Sequence, residues 1–248
     1  MNKSFFEKEY EVNSINININ KRLGLYGMLG ILQDVGAIHA EYMGVGMEAM
    51  IENNAFWVFT QQKLRMHRWP KWQDHVVVKT WPRKIHGLKA YRDYTIHVGD
   101  ELIGESVATF MVLDGKTRKP TQPKLSEEII NGIPDKELEI IPEKVMVPSG
   151  LEYANTIMVR NSDLDMNNHV NNTKYAQWIL DTIKLDYHRR FVVSEFDMNF
   201  ISECRLGDEI EISLLIDEKS DTVTSYYQGV RKSDKKVVFN AHISGVAV

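Results

Sequence analysis

Apolar residues recur at helical spacing in two separate segments of the chain. The first set is Leu25, Met28, Leu29, Leu32 and Val35, and the second is Tyr175, Trp178, Ile179 and Ile183. Residues three or four positions apart lie on one face of an α-helix, so each set predicts an amphipathic helix with one apolar face.

Strand-like patterns follow each predicted helix in the same order. Residues Val58 to Val78 align without a gap on Val192 to Ile212, at an offset of 134 residues, and both stretches read as strand, turn, strand. Two further runs with strand periodicity follow in each half. These runs are Ala90 to Val98 and Glu105 to Leu113 in the first half, and Thr222 to Arg231 and Val237 to Val246 in the second.

One helix followed by antiparallel strands, present twice, predicts an α+β fold in the form of a tandem (double) hotdog. In this fold each half is a curved antiparallel β-sheet wrapped around a long central α-helix. The segment between the halves is rich in proline and lacks a periodic apolar pattern, except for a possible short helix near Ser126 to Asn131. We therefore expect an N-terminal hotdog over residues 1–125, a linker over 126–148 and a C-terminal hotdog over 149–248.

Composition excludes several classes of function. The 30 Lys and Arg against 34 Asp and Glu give a net charge of -4, which argues against nucleic acid as a partner. The N-terminus lacks a secretion signal and no apolar run approaches membrane-spanning length, so we expect a cytoplasmic protein without membrane insertion. The single cysteine allows no internal disulfide, and neither a zinc motif nor a phosphate-binding glycine loop is present. No metal and no cofactor are expected.

Residues 163 to 175 gather an acid, several amides and an imidazole just before the second predicted helix. Asp165, Asn167 and His169 alternate with other residues, so an extended or looped backbone can point all three the same way. Asn171 and Asn172 are good N-cap residues, and a helix N-terminus favours developing negative charge. The simpler alternative is an Asn-rich turn that only caps the helix.

The segment also resembles the Asp-x-Asn-x-His-Val-Asn-Asn signature of the fatty acyl-ACP thioesterases of plants and bacteria. Similarity to this family extends over nearly the whole chain, with Gln73 standing where the family has glycine. The other matching segments are Leu32 to Ala40, Trp69 to Asp74, Arg92-Asp93-Tyr94, Thr117-Arg118-Lys119-Pro120 and Glu203-Cys204.

The resemblance implies hydrolysis of the thioester that joins a fatty acyl chain to acyl carrier protein (ACP). The catalytic residues it implies are Asp165, Asn167, His169, Glu203 and Cys204. Trp69 and Pro70 occupy the places of Glu203 and Cys204 in the first repeat, so we expect one active site per chain.

Two mechanisms are open from the sequence. In the first, Glu203 and His169 orient or deprotonate a water molecule, and Asp165 fixes the conformation of Asn167 and its loop. In the second, Cys204 is a nucleophile activated by His169. If Glu203 and Cys204 lie in a regular strand, their side chains point to opposite faces and only one faces the site.

The first half, which lacks the catalytic set, is the expected place for the acyl chain. Met43, Met47 and Trp57 are candidate lining residues, and Asn171 and Asn172 at the predicted helix start are candidate substrate-binding residues. Acidic ACP carrying the acyl chain is the expected partner, and the protein is expected to be a monomer or homodimer. Exposed basic residues would then face ACP, with Arg65, Arg68, Lys71, Arg189 and Arg190 as candidates.

Two other functions compete with this one. A hotdog thioesterase acting on acyl-CoA would use similar chemistry, although such proteins are usually single hotdogs. A non-catalytic acyl-binding hotdog protein would tolerate loss of His169 or Glu203. Release of free thiol from acyl-ACP and from acyl-CoA separates the three.

Overall fold

A computed structural model describes residues 4–122, 125, 127–133 and 136–248. Its helices and strands fall into two similar sets joined by a connector that contains α3 (Glu127–Asn131). The N-terminal set is β1 (Phe6–Glu11), α1 (Leu25–Tyr42), α2 (Met47–Glu52), β2 (Ala55–Met66), β3 (His75–Pro82), β4 (Lys89–Val98), β5 (Glu101–Asp114) and the short β6 (Pro120–Thr121). The C-terminal set is β7 (Glu152–Met158), α4 (Asn172–Leu180), α5 (Leu185–Arg190), β8 (Phe191–Phe200), β9 (Glu209–Glu218), β10 (Thr222–Arg231) and β11 (Val237–Ala247).

The strands of both halves form one antiparallel sheet in the order β1-β3-β4-β5-β2-β8-β11-β10-β9-β7, with β6 paired to β5. The order of the second half mirrors that of the first, and the halves join where β2 pairs with β8. Lys63 and Asp197, which are 134 residues apart, lie opposite each other at this junction, and Lys63 Nζ is 3.1 Å from Asp197 Oδ1. The predicted double hotdog of the α+β class is confirmed.

The core lies between the sheet and the two central helices. One face of α1 is buried over its whole length, and α4 contacts α1 while burying Tyr175, Trp178 and Ile179. α4 has only 9 residues against 18 in α1, so the prediction that Ile183 belongs to this helix is wrong. The Thr182 hydroxyl donates to the Ile179 carbonyl at 2.7 Å and so competes with continuation of the helix.

The connector is held against the sheet by buried polar contacts. Arg83 Nε donates to Asp93 Oδ1 at 2.7 Å, and Asp93 Oδ2 accepts the Leu138 N–H at 3.0 Å. On the other half, Asn199 Oδ1 accepts the Val145 N–H at 2.7 Å. The short helix predicted in this region is α3, although Ser126, where the prediction begins, lies outside the described residues. Within the described part of the chain, no helix has the length and apolar character needed to cross a bilayer.

Candidate active site

The loop that precedes α4 is organised by the carboxylate of Asp165. Asp165 Oδ1 accepts the backbone N–H groups of Asn167 at 2.8 Å and of His169 at 3.2 Å. The Asp165 N–H donates to the His169 carbonyl at 2.8 Å, which closes a tight turn. Asn168 occupies the left-handed region of this turn at φ +59°, a conformation that asparagine tolerates better than most residues. Asp165 therefore sets the shape of the loop that carries Asn167 and His169.

Asn171 fixes the start of α4 immediately after this loop. Its side-chain Oδ1 accepts the Thr173 N–H at 3.0 Å and the Thr173 hydroxyl at 2.8 Å, which is an N-cap arrangement. Its backbone N–H donates to the Asp163 carbonyl at 2.8 Å. The loop and the positive end of the α4 dipole are thus held together, as the N-cap pattern in the sequence predicts.

Glu203 is brought to His169 by the loop between β8 and β9. The Val170 N–H donates to the Cys204 carbonyl at 3.1 Å, which ties this loop to the one before α4. His169 Nε2 then lies 3.3 Å from Glu203 Oε2, with both side chains partly exposed. Catalytic contacts are often long without substrate, so this separation suits an acid and imidazole that act together.

Cys204 points away from this pair. The residue is fully buried, and burial raises the pKa of its thiol to about 11, with the Tyr175 side chain as a hydrogen-bonding neighbour. Glu203 and Cys204 lie in a loop, so the premise that they sit in a regular strand is wrong. Their side chains nevertheless diverge, because the buried thiol packs in the core while the carboxylate faces solvent and His169.

Arg118 also contacts the candidate site, although its sequence pattern predicts no role for it. It follows β5 in the N-terminal half, and its Nη2 donates to Glu203 Oε1 at 2.6 Å. The guanidinium also lies 4.5 Å from the ring centroid of Phe56. The match of Thr117 to Pro120 to a known family segment was the only sequence signal, since 85 residues separate the two partners.

A cavity of about 390 Å³ extends from the loop before α4 into the N-terminal half. At the loop and the start of α4, its lining includes Asn167, Asn172 and Thr173. Within the first hotdog, its lining includes Met43, Met47 and Trp57. Trp57 is held by a hydrogen bond from its Nε1 to the Val45 carbonyl at 2.9 Å. Within the described part of the chain, the other candidate substrate residue, Asn171, is not in the lining and acts as the helix cap.

Several of the candidate basic residues are paired with acids. Arg65 Nε lies 2.9 Å from Glu195 Oε1, and Arg68 Nη2 lies 2.6 Å from Glu101 Oε2. Arg190 is paired with Asp186 and Glu218, whereas Lys71 and Arg189 are exposed. The paired acids weaken the positive potential that Arg65, Arg68 and Arg190 would present to an acidic partner.

Two sequence profiles match the chain. The acyl-ACP thioesterase N-terminal domain matches residues 3–133, and the acyl-ACP thioesterase C-terminal domain matches residues 150–244. Among curated proteins, an acyl-[acyl-carrier-protein] hydrolase of Cuphea viscosissima is 24% identical over 90% of this chain and 58% of its own length. Oleoyl-acyl carrier protein thioesterase 2 of Arabidopsis thaliana is 24% identical over 92% of this chain and 67% of its own length. The chain thus spans roughly three fifths of the length of the Cuphea and Coriandrum sativum relatives it matches.

Solved structures share the fold over the whole chain. An acyl-ACP thioesterase from Bacteroides thetaiotaomicron superimposes with a TM-score of 0.87 at 22% identity, covering 99% of this chain and 100% of the other. A 12:0-ACP thioesterase from Umbellularia californica gives a TM-score of 0.84 at 17% identity, covering 98% of this chain and 94% of the other.

Proposed function

The chain belongs to the acyl-ACP thioesterase family, and we propose that it hydrolyses fatty acyl-ACP to free fatty acid and holo-ACP. The observation that carries this proposal is that His169 contacts Glu203 and belongs to the same turn as Asn167, which lines a largely apolar cavity. A thioester carbonyl at Asn167 would have a proton acceptor on one side and room for its acyl chain on the other.

Water is the proposed nucleophile. Glu203 lies beside Nε2 of His169, which leaves Nδ1 to take a proton from a water molecule as its oxygen attacks the thioester carbon. Collapse of the tetrahedral intermediate breaks the C–S bond, and the proton passes to the departing pantetheine sulfur. Glu203 stabilises the imidazolium that forms between these steps, and Arg118 keeps Glu203 in place.

The developing oxyanion needs hydrogen-bond donors that are already in position. Asn167 lines the cavity, and α4 begins close to it in the chain, at Asn172, which also lines the cavity. Asp165 is assigned a positioning role, because its carboxylate accepts backbone N–H groups of the turn. Donors held in this way cost no reorganisation as charge develops.

The proposal divides labour between the halves. Residues 1–125 form the acyl-binding hotdog, 126–148 the linker and 149–248 the catalytic hotdog. Met43, Met47 and Trp57 support this division because they line the cavity within the first half. ACP is the proposed partner and the cytoplasm the proposed compartment. Lys71 and Arg189 are the exposed basic residues to test in ACP docking.

The reaction is tested directly with purified protein and acyl-ACP of several chain lengths. We expect equal amounts of free fatty acid and holo-ACP, measured by mass spectrometry and by titration of the released thiol. A folded protein that binds acyl chains and releases neither product would contradict the proposal and identify a non-catalytic acyl-binding protein.

Cys204→Ala is expected to retain a substantial fraction of wild-type turnover. A thiol with a pKa of about 11 is almost entirely protonated near pH 8, so it is a poor nucleophile there. Iodoacetamide should accordingly label Cys204 slowly in the folded protein at pH 8 and rapidly after denaturation. An acyl group trapped on Cys204 during turnover would contradict the water mechanism.

Arg118→Ala is expected to lower kcat by about 10-fold, which corresponds to loss of roughly 1.4 kcal/mol of transition-state stabilisation. The physical reason is that Glu203 loses the hydrogen-bonded cation that orients it, while the lining of the acyl cavity does not include Arg118. The effect should therefore fall on kcat more than on KM, and Arg118→Lys should restore part of it.

Arg205→Ala is the matched control for Arg118. Arg205 Nη2 lies 3.9 Å from Glu203 Oε2 and its side chain is 69% exposed, so its loss should change kcat less than about twofold. Equal effects of the two substitutions would show that Arg118 supplies only general positive charge.

A further inference from the structure

The connector between the two halves supplies part of the cavity wall. Ile129 of α3 lines the cavity, and so does Ile85, which lies in the loop between β3 and β4. A linker that only joined two domains would not need to place an apolar side chain in the cavity. The contribution of α3 therefore calls for a reason that lies in the ligand of the cavity.

Backbone contacts hold α3 against the loop between β3 and β4. The Ile85 N–H donates to the Ile130 carbonyl at 2.9 Å. Gly132 follows α3 at φ +60°, and a Cβ on this glycine would lie 2.5 Å from the Arg83 carbonyl carbon. The two backbones approach this closely because residue 132 has no side chain. The position of Ile129 is thus fixed by the sheet and does not depend on the rest of the connector.

A row of lining residues crosses the sheet from the middle of the molecule towards α3. It begins at Phe59 on β2, whose ring centroid lies 4.9 Å from that of Phe110 on β5. Phe110 lies opposite Ala90 on β4, and β4 pairs with β3, which leads into the loop that holds Ile85. All four residues line the cavity, and the small Ala90 adds little bulk between Phe110 and Ile85.

The candidate active site lies at the β2 end of this row. Arg118, which donates to Glu203, lies over the ring of Phe56 at the start of β2, and α2 contacts the same strand. α3 lies at the β3 end. Three strand spacings of about 4.8 Å separate β2 from β3, or roughly 14 Å. An extended chain advances roughly 1.2 Å per bond, so about 12 carbons span this distance.

Building on the proposed function, we infer that Ile129 and Ile85 stop the acyl chain and set the longest chain that the protein hydrolyses well. The substrate is an unbranched fatty acyl chain of about 12 carbons or more, whose methyl end contacts both side chains. A longer chain has to push α3 away from the sheet or fold back within the cavity, and overfilling a packed apolar site is unfavourable. Shorter chains end before they reach α3.

The test is a kcat/KM profile for saturated acyl-ACPs whose chains grow in steps of two carbons. Ile129→Ala should raise kcat/KM about 10-fold for the chain two carbons beyond the wild-type limit, since two methylenes gain an apolar site. Ile129→Trp should lower kcat/KM by a similar factor for the longest chains and spare the short ones. An unchanged profile in both variants, or an equal loss at every chain length, would overturn the inference.

Ile130→Ala is the matched control. Ile130 belongs to the same helix but not to the cavity lining, and its carbonyl bond to the Ile85 N–H does not depend on its side chain. The substitution should therefore leave the length profile unchanged. The same shift in Ile130→Ala as in Ile129→Ala would show that α3 acts only through stability, and it would overturn the role of Ile129 as a stop.

Binding of acyl-pantetheine amides separates this inference from the proposed function. If no acyl-ACP is hydrolysed but Ile129→Ala extends the length of amide that binds tightly, the proposed function fails and the inference stands. If acyl-ACP is hydrolysed and neither Ile129 variant moves the length limit, the inference fails and the proposed function stands. A thermal melt identifies any loss of fold in Ile129→Trp, and in that case Ile129→Ala, which adds no bulk, decides the result.

Discussion

Glu203→Ala is expected to lower kcat by about 100-fold or more without unfolding the protein. Glu203 lies 3.3 Å from His169, and the carboxylate stabilises the imidazolium only when the proton has moved. His169→Ala and Asn167→Ala remove the proton acceptor and an oxyanion donor, so losses of the same size are expected. Asp165→Ala should also reach this size because the turn that carries Asn167 and His169 would lose its central acceptor.

Steady-state kinetics with acyl-ACP and thermal unfolding of each variant provide the measurement. Glu195→Ala is the matched control. Glu195 is also a partly exposed carboxylate in an ion pair, which it forms with Arg65 at the junction of the halves. It should leave kcat close to that of the wild type. Near wild-type turnover in Glu203→Ala would remove the basis for the water-activation mechanism.

Changes in the cavity wall are expected to alter which acyl chains are hydrolysed. A larger side chain in Met43→Trp would fill space that long chains need, and Trp57→Ala would open space for them. Each methylene that enters an apolar pocket contributes about 0.8 kcal/mol, or roughly a fourfold change in binding per carbon. Long chains should therefore lose kcat/KM steeply in Met43→Trp, while short chains keep most of it. Met47→Trp should act in the same direction, with a smaller effect because Met47 is exposed.

A kcat/KM profile over acyl length measures these shifts. Met158→Trp and Trp72→Ala are matched controls, since both residues are exposed and lie outside the cavity lining. They should leave the profile unchanged. If Met43→Trp and Trp57→Ala reduce hydrolysis of every chain length equally, these residues are core and the acyl chain is not bound in the first half.

The internal repeat is the reason that the fold could be predicted from the sequence. The gapless alignment of Val58 to Val78 with Val192 to Ile212 places β2 on β8 and the start of β3 on the start of β9. The outer strands β1 and β7 were missed. They are edge strands, and in β1 only Phe6 and Tyr10 pack against the core, which leaves a weak periodic signal.

The local geometry of the candidate site could be predicted where its residues are close together in the chain. Asp165 to Thr173 is one continuous turn and helix start, and short-range hydrogen bonds fix its shape. Arg118 could not be assigned, because its contact with Glu203 depends on how the two hotdogs join. The close approach of Arg92 to Gly36 in the cavity wall could not be predicted either, because it forms only when α1 packs on the sheet.

The ratio of kcat/KM between acyl-ACP and acyl-CoA with the same acyl chain tests the central claim most directly. We predict that acyl-ACP is hydrolysed at least about 10-fold more efficiently, because ACP adds contacts outside the cavity that CoA cannot make. We also predict that His169→Ala lowers hydrolysis of both substrates by about 100-fold or more. Equal or greater efficiency with acyl-CoA, or near wild-type turnover in His169→Ala, would contradict an acyl-ACP hydrolase that works through this site.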